Sequence, residues 1–430
     1  MPPDLRGSAS GRRASAGLGT RARLRAHVIG LALALVAGRP NALDRAVDAI
    51  PAHALLTQSA LSLVDPARAA AAQHFEQFTI PVWFVTIAVQ IAVLAWFWSS
   101  GRSARLRDRL RARIGSEFWV RFWFGALLAL IDRTAAFIPM FFQYRMSWIM
   151  GLSDVLTRYW FGSWLLTTII AMVAAGLMAA IVLGLVDRTR QWYAYTTAGI
   201  IGLTLLLTYI QPFALAPIFS TYRDLPSGAL QADLPALRAR AGNTAVPVVE
   251  EVVSRRTHAG SSYVLGWGGS QRVVISDTAL AGASEPELRF TIARSFGWAA
   301  ANSALHLALI LGGMLVLGSA LAIFLADRIG FRRDDDPVSR LALVGALLGL
   351  VYLVALPFFN SYERNLDIAA DQYALTITGD RVSAIRGAVR GADQALQPVC
   401  PQLLGYWYFA TRPPAGQRIP NLQGRAAACR

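Results

Sequence analysis

The sequence predicts an α-helical integral membrane protein of about six to seven spans, with a small α+β segment between spans. Three observations carry this. Hydrophobic residues make up 55% of the 430-residue chain, charged residues only 16%, and mean hydropathy is +0.42. Soluble domains carry about a quarter charged residues, so this composition points away from an ordinary cytosolic enzyme and excludes an intrinsically disordered chain, collagen and a disulfide scaffold. Second, six apolar runs approach the ~20 residues that a spanning helix requires: 81–99, 120–142, 163–186, 194–216, 303–326 and 338–359. Third, residues 217–302 interrupt the apolar pattern with strand-like alternation and turn signals.

Residues 81–216 form a bundle of four spans, and 303–359 add two more. In the second run, Asp132 and Arg133 sit at membrane depth. Either they face a protein interior or wet cavity, or the run is two shorter pieces bent near the interface. Residues 1–70 are read as an N-terminal leader, signal-like or disordered. Arg6, Arg12, Arg13, Arg21, Arg23 and Arg25 precede an apolar run, Val28 to Ala37, too short to span comfortably. A translation start placed too early would look the same.

All 41 basic residues are Arg, against 26 acidic ones, for a formal net charge of +15. Much of the excess flanks the spans: Arg102, Arg105, Arg107, Arg109, Arg111 and Arg113; Arg188 and Arg190; Arg328, Arg332 and Arg333. With six spans these loops share one side, the cytoplasmic one by the positive-inside rule, leaving 217–302 and the tail outside. One span more or fewer reverses that orientation. Lipid contact accounts for this charge, and no basic stripe interleaved with aromatics points to nucleic acid. Trp96, Trp98, Trp119, Trp123 and Trp267 read as interfacial anchors. The two cysteines, Cys400 and Cys429, decide nothing about compartment.

Within 217–302, a helical stretch near Ala229–Ala241 leads to a strand-like run, Val246–Val253. Tyr263–Leu265 and Arg272–Ile275 flank Gly266-Trp267-Gly268-Gly269-Ser270, which reads as a hairpin turn. Ser284 and Glu287 form a capping box with Pro286 in the first turn, so a helix is expected over about 285–302.

This order resembles the integral-membrane zinc peptidases of the type I CAAX prenyl protease and HtpX group. The resemblance rests on Gly151-Leu152-Ser153, Pro217-Ile218-Phe219-Ser220, the strands Ser262–Gly266 and Arg272–Thr278, and Glu287-Leu288. It continues in Ala370-Asp371-Gln372-Tyr373-Ala374, Thr378-Gly379-Asp380, and Pro413 with Arg418-Ile419, covering roughly 130–420. It implies a zincin-like peptidase subdomain over 217–302, completed by 360–430. It also implies a zinc site, with two His ligands and a water-activating Glu from H-E-x-x-H on the helix after 285 and a Glu as third ligand four residues before the Asp of the second motif, and a His in the C-terminal motif that stabilises the transition state.

The frame is kept and the chemistry is absent. The first His position is Arg294, the catalytic Glu position Ser295 and the second His position Trp298, with only Gly297 retained. The third-ligand position is Asp367, the supporting Asp371 remains, Arg412 stands where a His belongs, and Gln417 replaces an acidic residue. None of His27, His53, His74, His258 and His306 is paired at ligand spacing; His306 reads as a satisfied histidine near the start of a span. No catalytic residues and no metal cofactor are therefore expected, although the family uses zinc. Because positions 294 and 367 would bind one ion in the family, Arg294 and Asp367 are expected to converge as an ion pair replacing the metal. Ser295 lacks a nearby base, and Glu363 and Asn365 read as solvated or capping rather than catalytic.

The leading expectation is a membrane-embedded pseudopeptidase that binds peptide or regulates a relative, in a bacterial inner or cell membrane. Its partners would be the lipid bilayer and a peptide or membrane-protein client, with no nucleic acid. The alternatives are an active metalloendopeptidase with an atypical site, and a transporter or lipid-binding scaffold whose cavity Asp132 and Arg133 would line.

Overall fold

The computed structural model describes residues 46–242, 245–330 and 336–429. Arg6 to Arg25, His27, the run 28–37, Arg332 and Arg333 lie outside the described residues. In chain order the elements are α1 (Ala52–Thr57), α2 (Ala60–Leu63), α3 (Pro66–Ser99), α4 (Arg102–Arg113), α5 (Glu117–Ile149), α6 (Thr157–Arg188) and α7 (Trp192–Ile210). A π-turn, Gln211–Leu215, carries α7 into α8 (Ala216–Phe219). Then come β1 (Thr221–Asp224), α9 (Ala229–Arg240), β2 (Val248–Val252), β3 (Ser262–Leu265), β4 (Arg272–Ser276) and α10 (Asp277–Gly282). The chain ends with α11 (Glu285–Ala300), α12 (Ser303–Gly330), α13 (Pro337–Thr378), α14 (Arg381–Gln394), α15 (Leu403–Tyr408) and α16 (Ala415–Gln423).

Six helices among the described residues are long and apolar enough to cross a membrane: α3, α5, α6, α7 with its continuation, α12 and α13. The fold is therefore a membrane-embedded helical bundle carrying a small sheet. Water offers no drive for helices to associate inside lipid, so close backbone approach has to hold the spans together. At the α5–α6 crossing this is literal: a Cβ on Gly125 would lie 2.6 Å from the Ala175 carbonyl oxygen, and one on Gly176 2.7 Å from that of Phe122. Helix α5 runs unbroken through Asp132 and Arg133. The two-piece alternative for this segment is thereby excluded.

The sheet has four strands in the order β1-β2-β4-β3. β3 and β4 pair antiparallel as the hairpin pattern predicts, with Tyr263 opposite Val274. The turn between them needs Gly266, whose φ of +73° and close packing on Ser270 leave no room for a side chain. β2 joins β4 in parallel, and β1, which is not expected from the sequence, pairs antiparallel with β2. Val273 and Ile275 of β4 turn into a core completed by Ile292 and Phe296 of α11, Ile385 and Val389 of α14, and Ile419 and Leu422 of α16.

Two expectations are corrected. A leader is expected over 1–70, yet residues 46–70 are folded: Val47, Leu55, Ala60, Leu63 and Val64 are buried in that same core. The first spanning helix starts at Pro66, not 81, with Asp65 accepting from the amides of Ala67 and Arg68 as its N-cap. The capping box at Ser284 explains part of this attachment. Glu287 accepts from Ser284 N at 2.7 Å and from Arg390 Nη2 at 3.2 Å, and Arg390 also reaches Asp48 Oδ1 at 2.6 Å. Second, no break separates the last span from the C-terminal part of the peptidase-like unit. Helix α13 continues for 42 residues, from the bundle to Thr378, and so carries Asp367 and Asp371 on the same continuous helix as the last span.

Trp96, Trp119 and Trp123 are exposed near span ends, as anchors would be. Trp98 instead packs on a cluster with Ala322 and Leu343. Trp267 docks on the fourth span, where its indole donates to Leu205 O at 3.1 Å and its ring meets Tyr209 edge-on.

Candidate functional site

Helix α11 buries most of its circumference, and its packing against α13 fixes the site. Gly297 is required at that contact, because a Cβ there would approach the Tyr373 ring to 2.9 Å. This close crossing brings Arg294 and Trp298, one turn apart on α11, against Asp367 and Asp371, one turn apart on α13.

Arg294 forms an ion pair through Nη2 with Asp367 Oδ1, and its Nε lies 2.8 Å from Asp371 Oδ1. Trp298 Nε1 donates to the same Asp367 Oδ1 at 2.9 Å. Asp371 is clasped from the other side by Arg418 of α16, whose Nε and Nη2 each lie 2.8 Å from its two oxygens. Arg294, Asp367 and Asp371 are all buried. The network binds α11, α13 and α16 together through fixed charges. Burial opposes the charge of Arg418, but the adjoining Asp371 carboxylate outweighs it and holds the guanidinium more firmly protonated than usual.

Arg412 is brought to the edge of this network rather than into it. Its Nε is 3.9 Å from Asp367 Oδ2, its Nη2 donates to Ser262 O at 3.4 Å, and 46% of its side-chain surface stays open. Ser295 donates to Thr291 O at 3.2 Å or shares a 2.8 Å bond with Ser262 Oγ. Among the described residues no imidazole, amine or carboxylate is bonded to it, so none of them activates it as a nucleophile.

The residues present do not fit zinc. Among the described residues no group of three His, Cys, Asp or Glu side chains is placed to hold a metal. At the family position the donor set is one carboxylate, Asp367, whose Oδ1 is already taken by Arg294 and Trp298. A guanidinium stays protonated at any working pH, so a divalent cation would meet a fixed positive charge where it needs imidazole. The described histidines are elsewhere: His53, His74 and His306 are exposed, and His258 Nε2 lies 2.7 Å from Asp154 Oδ2.

Three functional contributors do not stand out in the sequence. Arg418 is visible there only as part of a motif. Arg364, buried, donates to Tyr406 O at 3.0 Å and Ala410 O at 2.6 Å, pinning the segment that leads to Arg412. The cysteines are bonded to one another, and Gly416 N donates to Val399 O, next to Cys400, at 2.9 Å. The disulfide thus braces the start of α16, which carries Arg418. Only the Arg418-Ile419 motif hints at any of these. Glu363 is half-buried one turn before Asp367, and Asn365 is exposed.

Asp132 lines a cavity of about 750 Å³ walled by all six spans, apolar apart from a few groups such as Gln90, whose Nε2 donates to Asp132 Oδ2 at 2.8 Å. Arg133 turns away and donates to Thr167 Oγ1 at 3.1 Å. Of the two residues expected to line a cavity, only Asp132 does so.

Comparison with known proteins adds to this geometry. Residues 225–426 match the model of peptidase family M48. The chain is 23% identical over 375 residues to the Bacillus subtilis protein described as uncharacterized metalloprotease YhfN, covering 84% of this chain and 87% of that one. Over 107 residues it is 29% identical to the Caenorhabditis elegans CAAX prenyl protease 1 homolog, about a quarter of each chain. The crystal structure of S. mikatae Ste24p superposes with a TM-score of 0.65 at 14% identity, covering 92% of this chain and 98% of that one, a likeness of fold. With the motifs in family order around the α11–α13 crossing and six helices long and apolar enough to span a membrane about them, residues 225–426 match peptidase family M48 and the chain is similar to CAAX-protease-like members of it.

Proposed function

We propose that this chain is a pseudopeptidase: a membrane-embedded M48 frame that engages peptide without cleaving it. The observation carrying this reading is Arg294, whose guanidinium sits between Asp367 and Asp371 at the position that binds the metal in the resembled family. The frame has lost its water-activating group as well, since Ser295 is committed to Ser262 and Thr291. Purified protein is expected to contain far less than one zinc per chain and to leave peptides intact. Stoichiometric zinc, together with cleavage that a chelator abolishes, would instead make it a working metalloendopeptidase.

We further place the peptidase-like face outside a bacterial inner membrane. The described Arg-rich segments, 100–113 and 187–190, lie at the opposite ends of the spans, as the positive-inside rule requires of a cytoplasmic side. The Cys400–Cys429 disulfide belongs to the peptidase-like side and favours an oxidising compartment there. A membrane-impermeant maleimide applied to intact cells after mild reduction should label both cysteines. Labelling seen only after lysis would reverse the orientation.

A further inference from the structure

We propose that Arg102, Arg105 and Arg109 form the headgroup site for an anionic phospholipid carrying two phosphodiesters, at the mouth of a pocket between α3, α4 and α5. The site lies at the opposite end of the spans from the Arg294 network, and it stands whether or not the chain cleaves peptides.

Helix α4 divides its arginines by face. Two of them meet acid. Arg107 Nε donates to Asp108 Oδ1 at 2.9 Å and Arg111 Nε to Glu117 Oε1 at 2.8 Å, with Asp336 in ion-pair reach of both. Arg102, Arg105 and Arg109 recur at three- and four-residue spacing and so share another face. They line a pocket of about 330 Å³. Its other walls are apolar: Leu106 of the same helix, Phe97 of α3, and Leu127, Leu130 and Ile131 of α5. Among the described residues no acidic side chain lines it.

The helix is fixed without help from those three arginines. Ser103 Oγ donates to Ser339 O at the start of α13, and Leu106 and Leu110 pack with Phe124, Leu183 and Val338. The guanidiniums themselves are lightly engaged. Arg102 stacks on the Trp96 ring at 3.9 Å, and Arg105 gives one bond, from Nη2 to Ser100 O at 3.2 Å. Arg109 has no hydrogen bond or ion pair among the described residues. Three cations gathered without acid repel one another and keep most of their donors, a combination that phosphate oxygens satisfy.

Depth and length narrow the ligand. Exposed Trp123 marks the interface on α5. Leu127 and Ile131 follow it by one and two turns, about 6 and 12 Å further into the hydrocarbon. A free phosphate has no use for that wall, whereas an acyl chain covers it while its headgroup stays with the arginines. Arg102 and Arg109 stand about 10 Å apart along the helix axis, further than one phosphate reaches. Two phosphodiesters on a short bridge match the row. A basic pocket between spans, on the side that carries the Arg-rich loops, faces the leaflet where anionic lipid is drawn to such charge.

The test uses the full chain in detergent micelles, stripped of lipid, and native mass spectrometry to measure what it retains. The probes are diphosphatidylglycerol, phosphatidylglycerol and phosphatidylcholine with oleoyl chains, and glycerol phosphate as a headgroup without chains. Diphosphatidylglycerol is expected to bind about tenfold more tightly than phosphatidylcholine, with phosphatidylglycerol between them and glycerol phosphate not retained. The variant Arg102→Gln, Arg105→Gln, Arg109→Gln should hold both anionic lipids no better than phosphatidylcholine, at the parent's melting temperature. Leu130→Trp, which fills the pocket and keeps every charge, should also weaken diphosphatidylglycerol. The variant Arg113→Gln, Arg188→Gln, Arg190→Gln removes three charges at the same end of the spans but outside the pocket, and should bind like the parent. If it loses the preference as fully as the pocket variant, diffuse charge selects the lipid and the proposal fails. Equal retention of the three lipids by the parent would overturn an anionic site. Preference for phosphatidylglycerol over diphosphatidylglycerol would overturn the two-phosphate assignment. Glycerol phosphate held as tightly as either anionic lipid would make this a phosphate site and overturn the lipid.

Discussion

Replacing Arg294 with Met destabilises the protein by about 3 kcal/mol, because it leaves the buried Asp367 with only the long 3.9 Å contact to Arg412 for charge compensation. The side chain is 8% exposed and its partner 2%, so water cannot replace the lost guanidinium. Asp371 suffers less, since Arg418 still clasps both of its oxygens. The double variant Arg294→Met, Asp367→Asn should recover most of the loss: Asn keeps an acceptor for the Trp298 indole and removes the charge. Thermal unfolding of the single and double variants in the same detergent measures the coupling. If the double variant is as unstable as the single one, Arg294 contributes packing and the ion pair adds little.

Restoring the metal donors converts the same crossing into a zinc site. Arg294→His, Ser295→Glu, Trp298→His and Asp367→Glu, introduced together, should yield about one tightly bound zinc per chain. The spacing is already present, because positions 294 and 298 are one turn apart on α11 and both approach position 367 of α13. The variant that keeps Arg294 should bind none, since one fixed cation occupies the place of the other. A folded quadruple variant without zinc, measured by elemental analysis, would show that the α11–α13 crossing has drifted from ligand geometry as well as from ligand chemistry. Together with the Arg294 variants, this separates a site that lost only its side chains from one that lost its shape.

The spans are legible because lipid imposes a length and a composition on each helix, and both are local properties. The β3–β4 hairpin and the start of α11 are legible for the same kind of reason. Gly266 fixes the turn, and Ser284 with Glu287 writes a helix start within four consecutive residues. The absence of imidazole at 294, 298 and 412 is readable too, since a chain without the right atoms cannot supply them whatever its fold.

The partnerships are a different matter. Residues 46–70 look like a leader because they follow an Arg-rich, apolar opening and have no long periodic run. Their role appears only when Leu55 and Val64 meet Ile385 and Leu422, more than 300 residues later in the chain. Arg418 is marked in the sequence only by its motif, which does not name Asp371 as its partner, because the two lie 47 positions apart and the chain returns through α14 and α15 before they meet. Arg364 likewise depends on carbonyls of Tyr406 and Ala410.

By itself, then, the sequence determined that this is a membrane helical bundle around a peptidase frame whose zinc donors are missing, since span length, turn residues and ligand identity are written position by position. Only the tertiary structure decided that Arg294 and Arg418 share Asp371, that residues 46–65 belong to the core, and that Arg412 is left at the free edge of β3. Those outcomes depend on which distant side chains the close crossing at Gly297 and the return of α16 bring within reach, and no local pattern encodes that.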